Sequence, residues 1–65
     1  MNKSDEMMIT YAIGTEIDAI NMYSFMIDRL PPECGPKLEH ILKEEKEHAL
    51  ELIQLLKGDY SVNMT

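Results

Sequence analysis

Apolar residues recur at the three- and four-residue spacing of an α-helix in two blocks, which the segment LPPECGPK separates. Three prolines and a glycine in so short a stretch end one helix and begin another. With so short a hinge, we expect the two helices to fold back as an antiparallel hairpin. The predicted elements are helix 1 at about residues 4–29, a hinge at 30–35, helix 2 at about 36–57 and a short tail at 58–65.

The predicted helix ends carry residue types that helix termini favour. Ser4, which two acidic residues follow, suits the N-cap of helix 1. Pro36 suits the first turn of helix 2, and Gly58 suits its end. Gly14 interrupts helix 1 at a cost of about 1 kcal/mol relative to alanine, but the pattern on both sides predicts that the helix continues through it.

Each apolar stripe has a carboxylate at its centre. Glu16 occupies this position on helix 1, and Glu45 occupies it on helix 2. His48 lies on the edge of the helix 2 stripe and is expected to face inward, whereas His40 falls on the opposite, solvated side. The other members of the stripes are apolar or aromatic: Ile9, Ala12, Ala19, Ile20, Tyr23, Ile27 and Leu30 on helix 1, and Leu38, Ile41, Leu42, Ala49, Leu52 and Leu56 on helix 2.

These inward-facing polar residues predict a metal site. An unpaired buried carboxylate costs several kcal/mol or becomes protonated, and a divalent cation would compensate, since carboxylate oxygen and imidazole nitrogen are common metal ligands. The three residues also lie at similar distances from the hinge along their helices. At 1.5 Å per residue, Glu16 lies about 18 Å from the end of helix 1, and His48 lies about 18 Å from Pro36. Glu45 is one turn nearer to the hinge, so we expect all three side chains to meet.

One hairpin supplies half of a known ligand set. Di-iron and di-manganese carboxylate bundles use one glutamate from each of two helices and a Glu-x-x-His pair from each of the other two. Two copies of this chain supply that set, and their association would close a four-helix core. The predicted fold class is therefore all-α: residues 1–65 form a single antiparallel two-helix hairpin that dimerises into a four-helix bundle.

Length, composition and charge narrow the function further. A chain of 65 residues rarely forms a stable core without disulfides, metal or self-association, and Cys34, expected to be inert, is the only cysteine. The formal net charge of −6 disfavours nucleic acid and attracts cations, although acidity also simply keeps small proteins in solution. No long apolar run or signal-peptide pattern occurs. We therefore expect a cytoplasmic protein without a membrane segment.

The chain resembles the encapsulated ferritins, two-helix members of the ferritin-like and rubrerythrin superfamily. The resembling segments are TEIDAINMY, residues 15–23, and EEKEHALELIQLL, residues 44–56. The resemblance implies a di-iron centre shared between two subunits. Glu16 would be a bridging ligand, with Glu45 and His48 as the Glu-x-x-His pair, and all three would be both metal ligands and catalytic residues. It also implies a homodimer, a ring of dimers and an encapsulin-type shell, so that the protein would lie inside a nanocompartment.

The resemblance suggests roles for two further residues. Tyr23 would hydrogen-bond near a ligand, with plain core packing as the alternative. Asp18 matches an acidic position through which iron enters, but its side chain is one carbon shorter. Asp18 shares its side of helix 1 with an apolar surface that predicts a second assembly contact; that surface includes Tyr11, Met22 and Phe25. The chain departs from the family in showing no obvious third helix or shell-directing extension.

The sequence-based hypothesis is a ferroxidase that oxidises Fe²⁺ to Fe³⁺ for iron storage or detoxification, with manganese or zinc as alternative metals. Two alternatives stay open. A rubrerythrin-like peroxide reductase would share the fold, but rubrerythrins usually carry a cysteine-rich electron-transfer domain, and this chain has one cysteine. A metal-free helical dimerisation module would instead use Glu16 and Glu45 to specify the register of a coiled coil.

Overall fold

The computed structural model describes residues 1–62. They form helix α1, Lys3–Arg29, and helix α2, Gly35–Leu56, with one 3-10 turn, Pro32–Cys34, between them. No strand occurs within residues 1–62. The predicted all-α class is confirmed, and both helices begin and end within one residue of the expected positions. The last part of the predicted tail, residues 63–65, lies outside the described residues.

The N-cap of α1 differs from the sequence-based expectation. Asn2, not Ser4, caps the helix: its side-chain Oδ1 accepts a hydrogen bond from the backbone N–H of Asp5 at 2.8 Å. Asparagine and serine are about equally favourable N-caps. Residue type alone therefore could not place the start of this helix, and the prediction of Ser4 was wrong.

Prolines determine the conformation of the hinge. Leu30 adopts extended backbone, as a residue before proline favours, and its N–H bonds to the carbonyl oxygen of Met26 at 2.8 Å. The N–H of Cys34 bonds to the carbonyl of Pro31 at 2.9 Å and closes the short turn. Pro36 then lies in the first turn of α2, where its missing N–H leaves no intrahelical hydrogen bond unmade. The chain therefore returns along α1 as a hairpin.

The hairpin is a layer only one helix thick. Its Cα extents are 45 × 27 × 10 Å and its radius of gyration is 14.2 Å, against about 11 Å for a compact domain of this length. Within residues 1–62, the buried hydrophobic residues are Leu38, Leu42 and Ala49, all on α2. No residue of α1 is buried. We infer that α2 covers the apolar stripe of α1 on one side only.

The residues on the uncovered side of the two stripes make up what we call the open face. Its members are half-buried rather than buried, and their helical positions place them beside the buried residues of α2. A second helical layer would be needed to bury them fully. The open face consists of Ala12, Ala19, Tyr23 and Met26 from α1 and Ile41, Leu52 and Leu55 from α2.

The outer side of α1 is apolar and more exposed, as the sequence predicted. Tyr11, Met22 and Phe25 are exposed by 76%, 54% and 55%. The guanidinium of Arg29 lies 3.5 Å from the centroid of the Phe25 ring and covers part of it. Within the described residues, neither helix combines the length and the apolar character needed to cross a membrane.

Helix α2 ends in a Schellman motif that directs the tail. Gly58 has a φ of 83°, which glycine adopts without strain. Its N–H bonds to the carbonyl of Leu55 at 3.0 Å, and the N–H of Asp59 bonds to the carbonyl of Gln54 at 2.9 Å. The Asp59 Oδ1 atom then accepts hydrogen bonds from the N–H of Ser61 at 3.0 Å and from its hydroxyl at 2.6 Å. The tail is thus held in a turn rather than extended away.

Candidate metal centre

The hairpin brings Glu16, Glu45 and His48 together. One ligand atom from each residue lies within 4.8 Å of the other two. Glu45 and His48 are three residues apart and therefore project from the same side of α2. Glu16 lies opposite them on α1, because residues 16 and 48 are equally distant from the two ends of the hinge. The predicted convergence is observed, whereas metal binding stays a prediction.

The three side chains differ in exposure. The Glu16 side chain is 23% exposed, and its Oε2 atom is buried without a hydrogen-bond partner among the described residues. Glu45 is half-buried, and the His48 side chain is 51% exposed. His48 thus lies at the border of the open face and is more exposed than predicted. The group is shielded on the Glu16 side and accessible on the His48 side.

The negative charges of Glu16 and Glu45 are only partly neutralised by their neighbours. When Glu45 is protonated it can donate a hydrogen bond to the Glu16 carboxylate, which raises the pKa of the Glu45 carboxyl above its ordinary value; burial and the charge of Glu16 add to this rise, and the charge of His48 opposes it. His48 Nδ1 lies 3.9 Å from Glu16 Oε2, a separation that suits an ion pair but exceeds a hydrogen bond. Two carboxylates that compete for one proton are a favourable place for a cation.

The unpaired oxygen of Glu16 is the observation that fits a metal. A buried acceptor without a partner is unfavourable by about 1–3 kcal/mol, and such groups are rare in folded proteins. A divalent cation between Glu16, Glu45 and His48 would bind this oxygen and neutralise the carboxylate pair. Oxygen and imidazole nitrogen suit iron, manganese and zinc alike. Three protein ligands also leave coordination positions for a second chain or for water.

Other residues singled out by sequence lie outside the group. Asp18 is exposed on the outer side of α1. Tyr23 is half-buried two turns from Glu16, and within residues 1–62 no hydrogen bond joins it to a ligand residue; its predicted role stays a prediction. His40 is solvent-exposed, as expected, and its Nε2 atom lies 2.6 Å from Glu44 Oε1 on the surface of α2.

A cavity beside the candidate metal centre was not predicted from the sequence. We call it the tail cavity, since the tail forms one wall; its volume is about 380 Å³. Gly58 predicts a helix end, and the Asp-x-Ser pattern at residues 59–61 is typical of a turn, but neither signal shows on which side of α2 the tail lies. The lining residues are Glu16, His48, Glu51, Leu52, Gln54, Leu55, Asp59, Tyr60, Ser61 and Val62.

Comparison of the chain with protein-family models, curated proteins and solved structures found no match in any of the three. The resemblance to encapsulated ferritins therefore rests on residues 15–23 and 44–56 of this chain alone. The roles that it implies for individual residues stay predictions.

Proposed function

We propose that this protein is a ferroxidase that acts as a homodimer and takes Fe²⁺ as its substrate. The observation that supports the proposal is the meeting of Glu16, Glu45 and His48 around a buried carboxylate oxygen that has no hydrogen-bond partner within residues 1–62. A hairpin with few buried residues has little stability to offset such a group. We infer that the group is retained because it binds a cation.

The ligand count and the open face support the proposed dimer. Each chain brings two carboxylates and one imidazole, which is half the set that di-iron carboxylate bundles use. The open face is apolar and half-buried on both helices, so a second copy would supply the missing helical layer. Stacking two open faces would also place the two ligand groups near each other, since His48 lies at the border of that face. One association step would thus complete both the core and the site.

The ligand types account for the direction of the redox step. Bound iron would supply the oxidisable metal, and the anionic oxygens of Glu16 and Glu45 favour Fe³⁺ over Fe²⁺ because they are hard donors. His48 would orient the site, and Glu45 would release its proton as iron binds. Two Fe²⁺ ions give up two electrons; dioxygen takes these with two protons and becomes hydrogen peroxide. With hydrogen peroxide as the oxidant, the same electrons and protons yield two water molecules.

The fate of the product lies outside this hairpin. The tail cavity, at about 380 Å³, has room for small molecules but not for a mineral particle. Storage of Fe³⁺ would therefore need a larger enclosure, such as a ring of dimers within an encapsulin-type shell in the cytoplasm. This part of the proposal derives from the family resemblance and not from the residues of the site.

Iron oxidation by the purified protein is the test. Metal-free protein is mixed with Fe²⁺ without oxygen, air is admitted, and ferric absorbance is followed. We expect oxidation well above the rate in buffer, and a loss of at least about tenfold in Glu45→Ala because a ligand is removed. Glu44→Ala, which changes the neighbouring exposed glutamate, should retain the wild-type rate. A wild-type rate equal to buffer, or full activity in Glu45→Ala, would contradict the proposal.

The open face also supports a second candidate, a helical dimerisation module that needs no metal. Such a module would bury the same apolar residues and would use Glu16 and Glu45 only to set the register. It predicts that a chelator leaves the oligomeric state and the melting temperature unchanged. The proposed ferroxidase should instead dissociate and melt at a lower temperature when a chelator is added. Peroxide turnover with an added electron donor would identify the rubrerythrin-like alternative.

A further inference from the structure

We propose that the tail cavity is the route by which divalent cations reach the candidate metal centre, and that Glu51 and Asp59 guide them electrostatically. The inference rests on the proposed metal binding by Glu16, Glu45 and His48. It assigns a function to the C-terminal tail and to a glutamate of α2 that the proposed chemistry does not use.

The tail cavity lies directly beside the candidate metal centre. Glu16 and His48, two of the three candidate ligands, form part of its wall. The Oε2 atom of Glu16 is buried from solvent in the hairpin and has no partner within the described residues, so a cation must approach it through adjoining space. The tail cavity provides space beside this carboxylate. Its apolar wall, Leu52 and Leu55, belongs to the open face that a second copy would cover, whereas its acidic wall, Glu51 and Asp59, lies outside that face.

The size of the cavity suits a hydrated ion. An octahedral shell of water molecules, at about 30 Å³ each, occupies about 180 Å³. The volume of about 380 Å³ accommodates such an ion with room for partial loss of its water. A cation could therefore enter hydrated and exchange water for protein ligands at the Glu16 end.

The lining of the tail cavity is acidic. Glu51 and Asp59 add two carboxylates to that of Glu16, and none of the lining residues that the structure describes is a lysine or an arginine. Hydrogen bonds from the hydroxyl and backbone N–H of Ser61 hold the pKa of Asp59 below its ordinary value and so favour the charged form of this carboxylate. A cleft lined by charges of one sign raises association rates by roughly 10–1000-fold.

Hydrogen bonds within the tail hold Asp59 at the wall of the tail cavity. The Schellman motif at Gly58 turns the chain, and the bonds from Ser61 engage Oδ1 of Asp59. By contrast, Asp18, which the family resemblance implies as the position of iron access, does not line the tail cavity and lies on the outer side of α1. The two routes can therefore be distinguished by mutation.

The experiment measures cation binding rather than catalysis. Association of Co²⁺ with the metal-free protein is followed by stopped-flow absorbance, and Co²⁺ bound at equilibrium is counted separately. The variant combines Glu51→Gln with Asp59→Asn. We expect association about tenfold slower than wild type at low salt, with the equilibrium count of Co²⁺ unchanged. The difference should shrink as salt is added, because salt screens the guiding charges.

A matched control separates local guidance from bulk charge. Glu39→Gln with Glu47→Gln removes the same charge from exposed positions of α2 outside the cavity, and we expect it to change the rate less than twofold. Equal slowing in this control, no slowing in the cavity variant, or slowing in Asp18→Asn alone would overturn the inference. So would loss of equilibrium binding in the cavity variant, which would make those residues ligands. A wild-type protein that binds no Co²⁺ would overturn the proposed metal centre, and this inference with it.

Discussion

Glu16→Gln is expected to stabilise the metal-free protein while it abolishes metal binding. Glutamine has nearly the same shape as glutamate, and its side-chain amide can donate a hydrogen bond to Glu45. The substitution therefore replaces the repulsion between two carboxylates with a hydrogen bond. It also removes the Oε2 atom of Glu16, which is buried without a partner within the described residues. We expect the melting temperature of the metal-free protein to rise by roughly 4–8 °C, the shift that about 1 kcal/mol produces in a domain of this size.

The pH dependence of this effect identifies its cause. The folded state raises the pKa of Glu45, chiefly through its hydrogen bond with Glu16. This contributes stability that is present below the ordinary pKa and is lost as pH rises through the raised pKa. The wild-type protein without metal should therefore lose stability from about pH 4.5 upwards. Glu16→Gln should lack this loss, so its advantage should grow with pH.

Denaturant unfolding followed by circular dichroism measures the change at several pH values, and equilibrium dialysis measures bound metal. Glu47→Gln is the matched control, since it makes the same chemical change at an exposed position; we expect it to stay within about 0.5 kcal/mol of wild type and to keep metal binding. A destabilised Glu16→Gln at neutral pH, or one that still binds metal, would mean that the carboxylate pair does not serve a cation.

Metal binding and dimerisation are expected to occur together. The gain in stability on metal binding is the second large effect that we predict. A cation held between two chains binds only the folded dimer, so at a metal concentration about 100 times the dissociation constant it adds about 2.7 kcal/mol of stability. This corresponds to a rise of roughly 10–20 °C in melting temperature. Sedimentation with Mn²⁺ or Zn²⁺ should show a dimer that a chelator dissociates or destabilises.

The two histidines provide a variant and its control for this prediction. His48→Ala removes a candidate ligand and should lose most of the metal-dependent rise. His40→Ala removes an exposed histidine that pairs with Glu44 on the surface, and it should respond to metal as wild type does. Equal responses in the two variants would place the metal elsewhere on the protein.

The hairpin and the meeting of its polar residues could be predicted from the sequence because both depend on local signals. Pro31 and Pro36 mark the ends of two helices in any context. Glu16, Glu45 and His48 interrupt apolar stripes at nearly equal distances from that hinge, so an antiparallel return brings them together. The N-cap of α1 at Asn2 rather than Ser4 was less predictable, because both residues are good caps.

What sequence did not reveal depends on contacts between distant parts of the chain. The exposure of His48 depends on whether a second helical layer covers the open face, which periodicity within one chain does not determine. The tail cavity depends on the direction that the chain takes after Gly58. A glycine predicts where a helix ends, but the side of α2 on which Asp59 and Tyr60 come to lie is set by the hydrogen bonds that follow.

Native mass spectrometry of the metal-loaded protein, combined with elemental analysis, counts metal ions and chains in the same particle and is therefore the decisive experiment for a shared metal centre. We expect two metal ions for every two chains. We also expect Glu16→Ala, Glu45→Ala and His48→Ala each to lose the metal, while Glu44→Ala keeps it. A metal-free particle, or stoichiometric metal that survives all three ligand substitutions, would mean that Glu16, Glu45 and His48 do not bind a cation.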